Sequence, residues 1–209
     1  MKKILLITIL LISSTSAFSQ LKFGFRVAPT LTYSRVNVVD AQYDIENNNA
    51  AVRFQIGPTF DYGFRENHYI SSGIYFATKN VDLNFRNQNT GQITNEELTL
   101  SYIQVPLGLK LFTEEVGLDK KLYFQFGVAT DIRTQGVQND DQSLLQQVDL
   151  FNFSSLLALG MEYRFGVNTK FYGGFFYNRG FNNAVKNTAI AGEWKLFNDQ
   201  LGLELGVTF

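Results

Sequence analysis

Leu201-Gly202-Leu203-Glu204-Leu205-Gly206-Val207-Thr208-Phe209 ends the chain in strict alternation. The odd positions are apolar, and glycine, glutamate or threonine stands between them. Successive side chains of a strand point to opposite faces. This stretch is therefore a strand with one apolar face and one small or polar face. A soluble sheet does not require a last strand of this form. A membrane barrel does: its closing strand meets lipid on the apolar face and lines the lumen with the other.

The same pattern recurs upstream. Val52, Phe54, Ile56, Pro58, Phe60, Tyr62 and Phe64 alternate with Arg53, Gln55, Gly57, Thr59, Asp61, Gly63 and Arg65. That run exceeds the average soluble strand of about five or six residues, and its polar face is too charged for a second core. A first strand places Phe23, Phe25, Val27, Leu31 and Tyr33 opposite Lys22, Gly24, Arg26, Ala28, Thr30 and Thr32. Further strands are predicted over about 69–85, 98–112, 122–135, 150–165 and 169–178. Within 69–85, Ile70, Ile74 and Phe76 share one parity and Val81, Leu83 and Phe85 the other. This predicts a phase change near Thr78 to Asn80, as a bulge or an exit from the membrane.

The connections support the count. Polar stretches over 37–50, 86–97, 136–149 and 179–192 are long. Those at 66–68 and 166–168 are short, and 113–121 is intermediate. Outer-membrane barrels have even strand numbers, short periplasmic turns and longer outer loops. The readings combine into an all-β fold, an eight-stranded antiparallel up-and-down transmembrane β-barrel over residues 20–209. Both termini of that barrel are expected on the periplasmic side.

Residues 1–19 read as a cleaved signal peptide. Lys2 and Lys3 precede an apolar run from Ile4 to Ile12, and Ala17-Phe18-Ser19 sets small residues before a cut at Gln20. The run is shorter than the ~20 residues of a membrane helix. Its removal leaves 16 basic against 19 acidic residues, a net charge of −3. That balance implies no nucleic-acid partner. With no cysteine, disulfides and thiol chemistry are excluded. Twenty Phe, ten Tyr and 17 Gly against three Pro and two Met favour strands over helices.

A soluble lipocalin-like barrel is the alternative fold. It places the apolar face inside, around a ligand. Three features favour the membrane version: the terminal Phe209, the length of the alternations, and the glycines on the polar face, which suit a crowded lumen. Pro29, Pro58 and Pro106 fall inside predicted strands, where a ladder tolerates proline only at edges or bulges. A register in which residue numbers of the first two strands sum to 87 sets Pro29 opposite Pro58 and Arg26 opposite Asp61.

The predicted lumen face carries Arg26, Arg53, Arg65, Lys110, Arg133 and Arg164, together with Lys22, and the acids Asp61, Asp131, Glu162 and Glu204. An eight-stranded interior is just wide enough for side chains to fill it. Charge taken out of water must be paired, so these groups are expected to form a plugging network. Seven bases against four acids leave some bases for the rims. Glu204 has Arg26 as its nearest candidate partner. A narrow ion path is the other reading. The one histidine, His68, lies in a predicted periplasmic turn, remote from substrates of the outer leaflet. No catalysis, cofactor or metal site is expected. Asp140-Asp141 and Glu96-Glu97 read as solvated loop acids, and the acidic loops as a surface for an unidentified protein partner. Trp194 and Phe197 are candidate rim anchors.

Tyr102-Ile103-Gln104-Val105-Pro106-Leu107-Gly108-Leu109-Lys110 resembles the Tyr-Leu-Glu-Ile-Pro-Leu-Leu-Leu-Lys segment of the PorT-like outer-membrane β-barrel family of the Bacteroidota. The Gly-rich first strand and Tyr177-Asn178-Arg179-Gly180 add to the likeness; Phe176 departs from it, where arginine is expected. Phe209 after alternating apolars resembles the C-terminal signal read by the barrel-assembly machinery. The resemblance implies an outer-membrane location, lipid and lipopolysaccharide as surroundings, and the assembly machinery as a transient partner. It also admits a place in a secretion or gliding assembly, and it implies no chemistry.

Overall fold

The computed structural model describes residues 20–209, except 42, 48, 89, 135–144 and 189–191; of 39–41, 43, 145–148, 186–188 and 192–193 it gives backbone alone. The expected signal peptide and Asp140-Asp141 lie outside the described residues. The strands are β1 (Leu21–Ala41), β2 (Tyr43–Asn47), β3 (Ala51–Arg65), β4 (His68–Gly73), β5 (Tyr75–Asn87), β6 (Ile93–Gly117), β7 (Lys120–Arg133), β8 (Leu145–Val148), β9 (Phe151–Arg164), β10 (Lys170–Gly180), β11 (Val185–Thr188) and β12 (Gly192–Thr208).

Eight staves close a ring of antiparallel neighbours: β1, β3, the β4/β5 pair, β6, β7, β9, β10 and β12, which returns to β1. The Phe209 amide donates to the Phe23 carbonyl at 2.7 Å and finishes the seam. Stepping across paired residues from Tyr33 leads through Asp199, Arg179, Ser155, Val128, Leu107, Ser72 and Phe60 to Phe23. The circuit from 33 to 23 is a stagger of ten residues, which tilts the staves against the barrel axis. Tight turns at Asn67 and Asp119, both with positive φ, join staves at one end. That turn end also holds Leu21 and Phe209; the opposite, loop end carries the longer connections.

The wall decides inside from outside. Leu201, Leu203 and Leu205 are 46%, 46% and 62% exposed, whereas Gly202 and Glu204 between them are buried. Phe25, Val27, Phe54, Ile56, Phe124, Phe126, Leu157 and Leu159 point outward in the same way. The apolar face is external, and the lipocalin-like arrangement is ruled out.

Three expectations are corrected. First, residues 37–41, 93–97 and 113–117 are strand and not loop. At the loop end β2 pairs with β5, and β8 with β11, so the polar connections fold back as sheet above the barrel. Second, there is no phase change near Thr78. Ser71, Gly73, Tyr75, Ala77, Lys79, Val81, Leu83 and Phe85 all point inward on one parity. The inner face itself turns from polar to apolar. The stave breaks instead at Ile74, whose amide donates to the Pro58 carbonyl at 3.1 Å. Proline has no N–H to return that bond. Third, β1 and β3 pair with numbers summing to 83: Pro29 faces Phe54, Pro58 faces Phe25, Arg26 faces Gly57 and Asp61 faces Lys22. The four-residue shift keeps Arg26 and Asp61 on the inner face. It also separates two missing donors that the expected register sets opposite each other.

Candidate functional site

The lumen is built in layers. Inward positions near the turn end carry Lys22, Tyr69, Glu162 and Lys170. The Lys170 ammonium lies 2.6 Å from Glu162, and Lys22 donates to the Tyr69 hydroxyl at 2.7 Å. Above them Lys110 pairs with Asp61 at 3.2 Å, with its ammonium 4.7 Å from the centre of the Tyr172 ring.

The middle layer centres on β12. Arg26 meets Glu204 at 3.2 Å, and both side chains are buried. The Tyr123 hydroxyl donates to the other oxygen of Glu204 at 2.5 Å. The Arg26 guanidinium lies over the rings of Phe176, 4.2 Å away, and Tyr75, 4.7 Å away. Room for these rings comes from glycines: a Cβ on Gly174 would lie 2.4 Å from both the Tyr123 hydroxyl and the Leu159 carbonyl. Small residues on the inner face thus seat large ones from neighbouring staves.

From Arg26 the network climbs through amides. Arg26 donates to Gln55, Gln55 to Gln200 at 2.7 Å and to Gln104 at 3.1 Å, and Gln104 to Asp131 at 2.6 Å. Lys79 takes the second oxygen of Asp131 at 2.6 Å, with both side chains 1% exposed. Such pairs hold only when the geometry is good and the remaining lone pairs are engaged. Asp131 meets both conditions.

Above this layer the lumen is apolar. Ile45, Val81, Leu83, Phe85, Leu100, Tyr102, Ala184, Val185, Trp194 and Leu196 form one buried cluster. Phe85 and Trp194 meet edge to face at 6.0 Å. The loop end is closed by a hydrophobic core.

The structure therefore brings together Arg26, Asp61, Lys110, Asp131, Glu162 and Glu204. It leaves others at the edges. Arg53 sits near the loop end, donating to Asn80 at 2.8 Å and to Thr99 at 3.1 Å, with Glu97 at 4.0 Å. Arg133 is half-buried beside the apolar cap. Two residues expected in the lumen are at the turn-end rim. Arg65 is exposed, because the β3–β4 register shifts between Gly63 and Arg65. Arg164 is 44% exposed and pairs with Glu115 at 3.6 Å and Asp119 at 3.9 Å. Trp194 is no rim anchor: it is buried in the cap. Phe197 is half-buried under the Arg35 guanidinium, 4.8 Å away. Lys79 and Lys170 are the bases that sequence reasoning missed. Lys79 was hidden by the supposed phase change, although its parity with Tyr75 and Ala77 marks it as inward.

Comparison with known proteins agrees with this architecture. The structure superposes on the outer membrane protein OprG from Pseudomonas aeruginosa with a TM-score of 0.56 at 13% identity, covering 90% of this chain and 95% of that one. Looser matches include Neisserial surface protein A, at a TM-score of 0.46 and 10% identity over 88% and 97% of the two chains. The N-terminal β-barrel domain of Pseudomonas aeruginosa OprF gives 0.44 and 12% over 88% and 97%. A sequence comparison with curated proteins found no match. The family model described as the outer membrane protein beta-barrel domain matches residues 14–186, most of the staves with their charged lumen. With an apolar wall, a closed ring and that match, the chain belongs to the outer membrane β-barrel domain family and is an integral protein of the outer membrane.

Proposed function

We propose that this barrel is a closed, non-catalytic element of the outer membrane with a structural or partner-binding role. The observation that carries the reading is the filled lumen: a continuous charged and amide network beneath a buried apolar cap. We orient the loop end outward and both termini toward the periplasm, because short turns lie on the periplasmic side of such barrels. His68, the one histidine, sits at the turn end with Nδ1 2.7 Å from the Glu66 carbonyl. Its position favours a turn-stabilising role over general-base chemistry.

Planar-bilayer recording on the full chain tests closure. Conductance at the lipid baseline is expected; steady unitary channels make the porin-like alternative the correct one. Lipopolysaccharide, the barrel-assembly machinery and a protein partner at the loop end complete the proposal. The likeness of Tyr102–Lys110 to the PorT-like barrels of the Bacteroidota supports a second reading, a wall piece of a secretion or gliding assembly. Crosslinking in cells followed by purification decides between them. A reproducible envelope protein supports the assembly role, and its absence supports an autonomous barrel.

A further inference from the structure

We propose a binding site for one phosphorylated glycolipid of the outer leaflet on the outer wall where β12 meets β1 and β10. The wall carries a defect there. Pro29 lacks an N–H, and the β1–β12 ladder omits the pairs between Val27–Leu205 and Thr30–Gly202. The result is an almost wholly apolar groove of about 260 Å³ lined by Pro29, Leu31, Val52, Phe175, Leu201 and Leu203. It faces the acyl region and has the character of a seat for one hydrocarbon chain.

A polar cluster stands directly above it. Tyr33 and Tyr177 touch hydroxyl to hydroxyl at 3.3 Å. Arg35 engages Asp199 through Nε at 3.2 Å and Nη2 at 3.3 Å, and Nη2 also donates to the Gly180 carbonyl at 3.1 Å. Asp199 further accepts from the Gly180 amide at 3.0 Å and from Tyr177 at 3.3 Å. Its carboxylate is thus consumed inside the wall, at 2% exposure, while the Arg35 side chain is 38% exposed. The adjacent stave presents Arg179, paired in register with Asp199 and exposed, and Lys195 is exposed further along β12. Among the described side chains the surface here is therefore positive, although an acid lies beneath it.

This juxtaposition selects the ligand. Guanidinium groups match phosphate with paired donors; exposed Arg179 supplies them here, and Arg35, whose Nε and Nη2 are engaged in the wall, adds Nη1 and its charge. The apolar groove begins four residues below Arg35, about 13 Å along the strand. A molecule with an anionic phosphate head and an acyl chain at that spacing, in the leaflet at the loop end, is a phosphorylated acyl-glycolipid. The site lies on the outer wall and is independent of whether the lumen conducts. The leaflet rests on the orientation proposed above. Lipid discs present ligand to both leaflets, so the test does not depend on that orientation.

The experiment is native mass spectrometry of the full chain released from phosphatidylcholine discs doped with bisphosphorylated lipid A. Folding of each variant is checked by its heat-modifiable gel shift. One lipid A is expected to stay bound. R35Q/R179Q is expected to reduce retention about tenfold, the loss of a charge-assisted contact. V52W, which fills the groove from its lipid side, is expected to reduce it as well. Should R35Q/R179Q fail to fold, R179Q alone carries the test, since Arg179 is exposed. Equal retention by the folded arginine variant, by phosphate-free lipid A, or of phosphatidylglycerol in place of lipid A overturns the proposal.

Discussion

Glu204 is the acid that β12 brings into the lumen, and its environment makes it expensive to alter. It neutralises Arg26 at 3.2 Å and accepts from Tyr123. Glu204→Gln keeps the volume but leaves Arg26 buried without a counter-charge, a loss of about 3–5 kcal/mol. Urea unfolding in detergent, followed by the gel shift, is expected to show a lower midpoint. Arg26→Met with Glu204→Leu removes both charges and is expected to recover most of the loss. A double variant as weak as the single one refutes the pairing. Much of this site was legible in the residues: parity places Arg26, Asp61, Lys110, Asp131, Glu162 and Glu204 inside. Parity does not say which base meets which acid. Lys79 reaches Asp131 across 52 residues of chain, and nothing local to either marks that meeting.

At the scale of elements, register carries the information that alternation lacks. A shift of four residues between β1 and β3 preserves every face and changes every partner. Two cysteine pairs in this cysteine-free chain discriminate the alternatives. Val27→Cys with Ile56→Cys joins direct partners, whose Cα atoms lie within the ~4.4–6.8 Å of a disulfide. Val27→Cys with Phe60→Cys, the pair of the shifted register, stands about 13 Å further along the strand. Mild oxidation in the membrane is expected to crosslink the first and not the second; the reverse outcome refutes the register. The strand extensions at the loop end escaped sequence reading for a related reason. Residues 37–41 and 93–97 mix polar and apolar side chains without a clear alternation and read as loop. They are held as strand by distant partners: 37–41 pair with 192–195 of β12, and 93–97 with 82–86 of β5.

The whole molecule is two stacked interiors within one wall. Below, charge and amide groups fill the lumen; above, apolar side chains seal it. The two are held by different physics, so they should fail separately. Phe85→Ala with Trp194→Ala opens a cavity in the upper core, at up to about 3–5 kcal/mol for each ring. The barrel is expected to retain its heat-modifiable shift, while the sheet formed by β8 and β11 and the paired ends of β2 and β5 become open to added protease. Loss of the shift itself shows instead that the cap and barrel fold as one cooperative unit. Such a result refutes the separate failure of the two interiors.

By itself the sequence determined the eight staves, the division of most of them into an apolar and a small or polar face, the small residues on the polar face, and the alternation of short and long connections. Those are properties of a backbone with a two-residue period and of side chains sorted between lipid and lumen, and both are local. Tertiary structure alone decided which face is inner. It alone also decided the ten-residue stagger, the salt-bridge partners other than Arg26 with Glu204, the apolar cap and the cationic patch over the groove at Pro29. Each depends on how far one stave slides past the next before the ring closes, a condition on all eight staves together that no single stretch of chain contains.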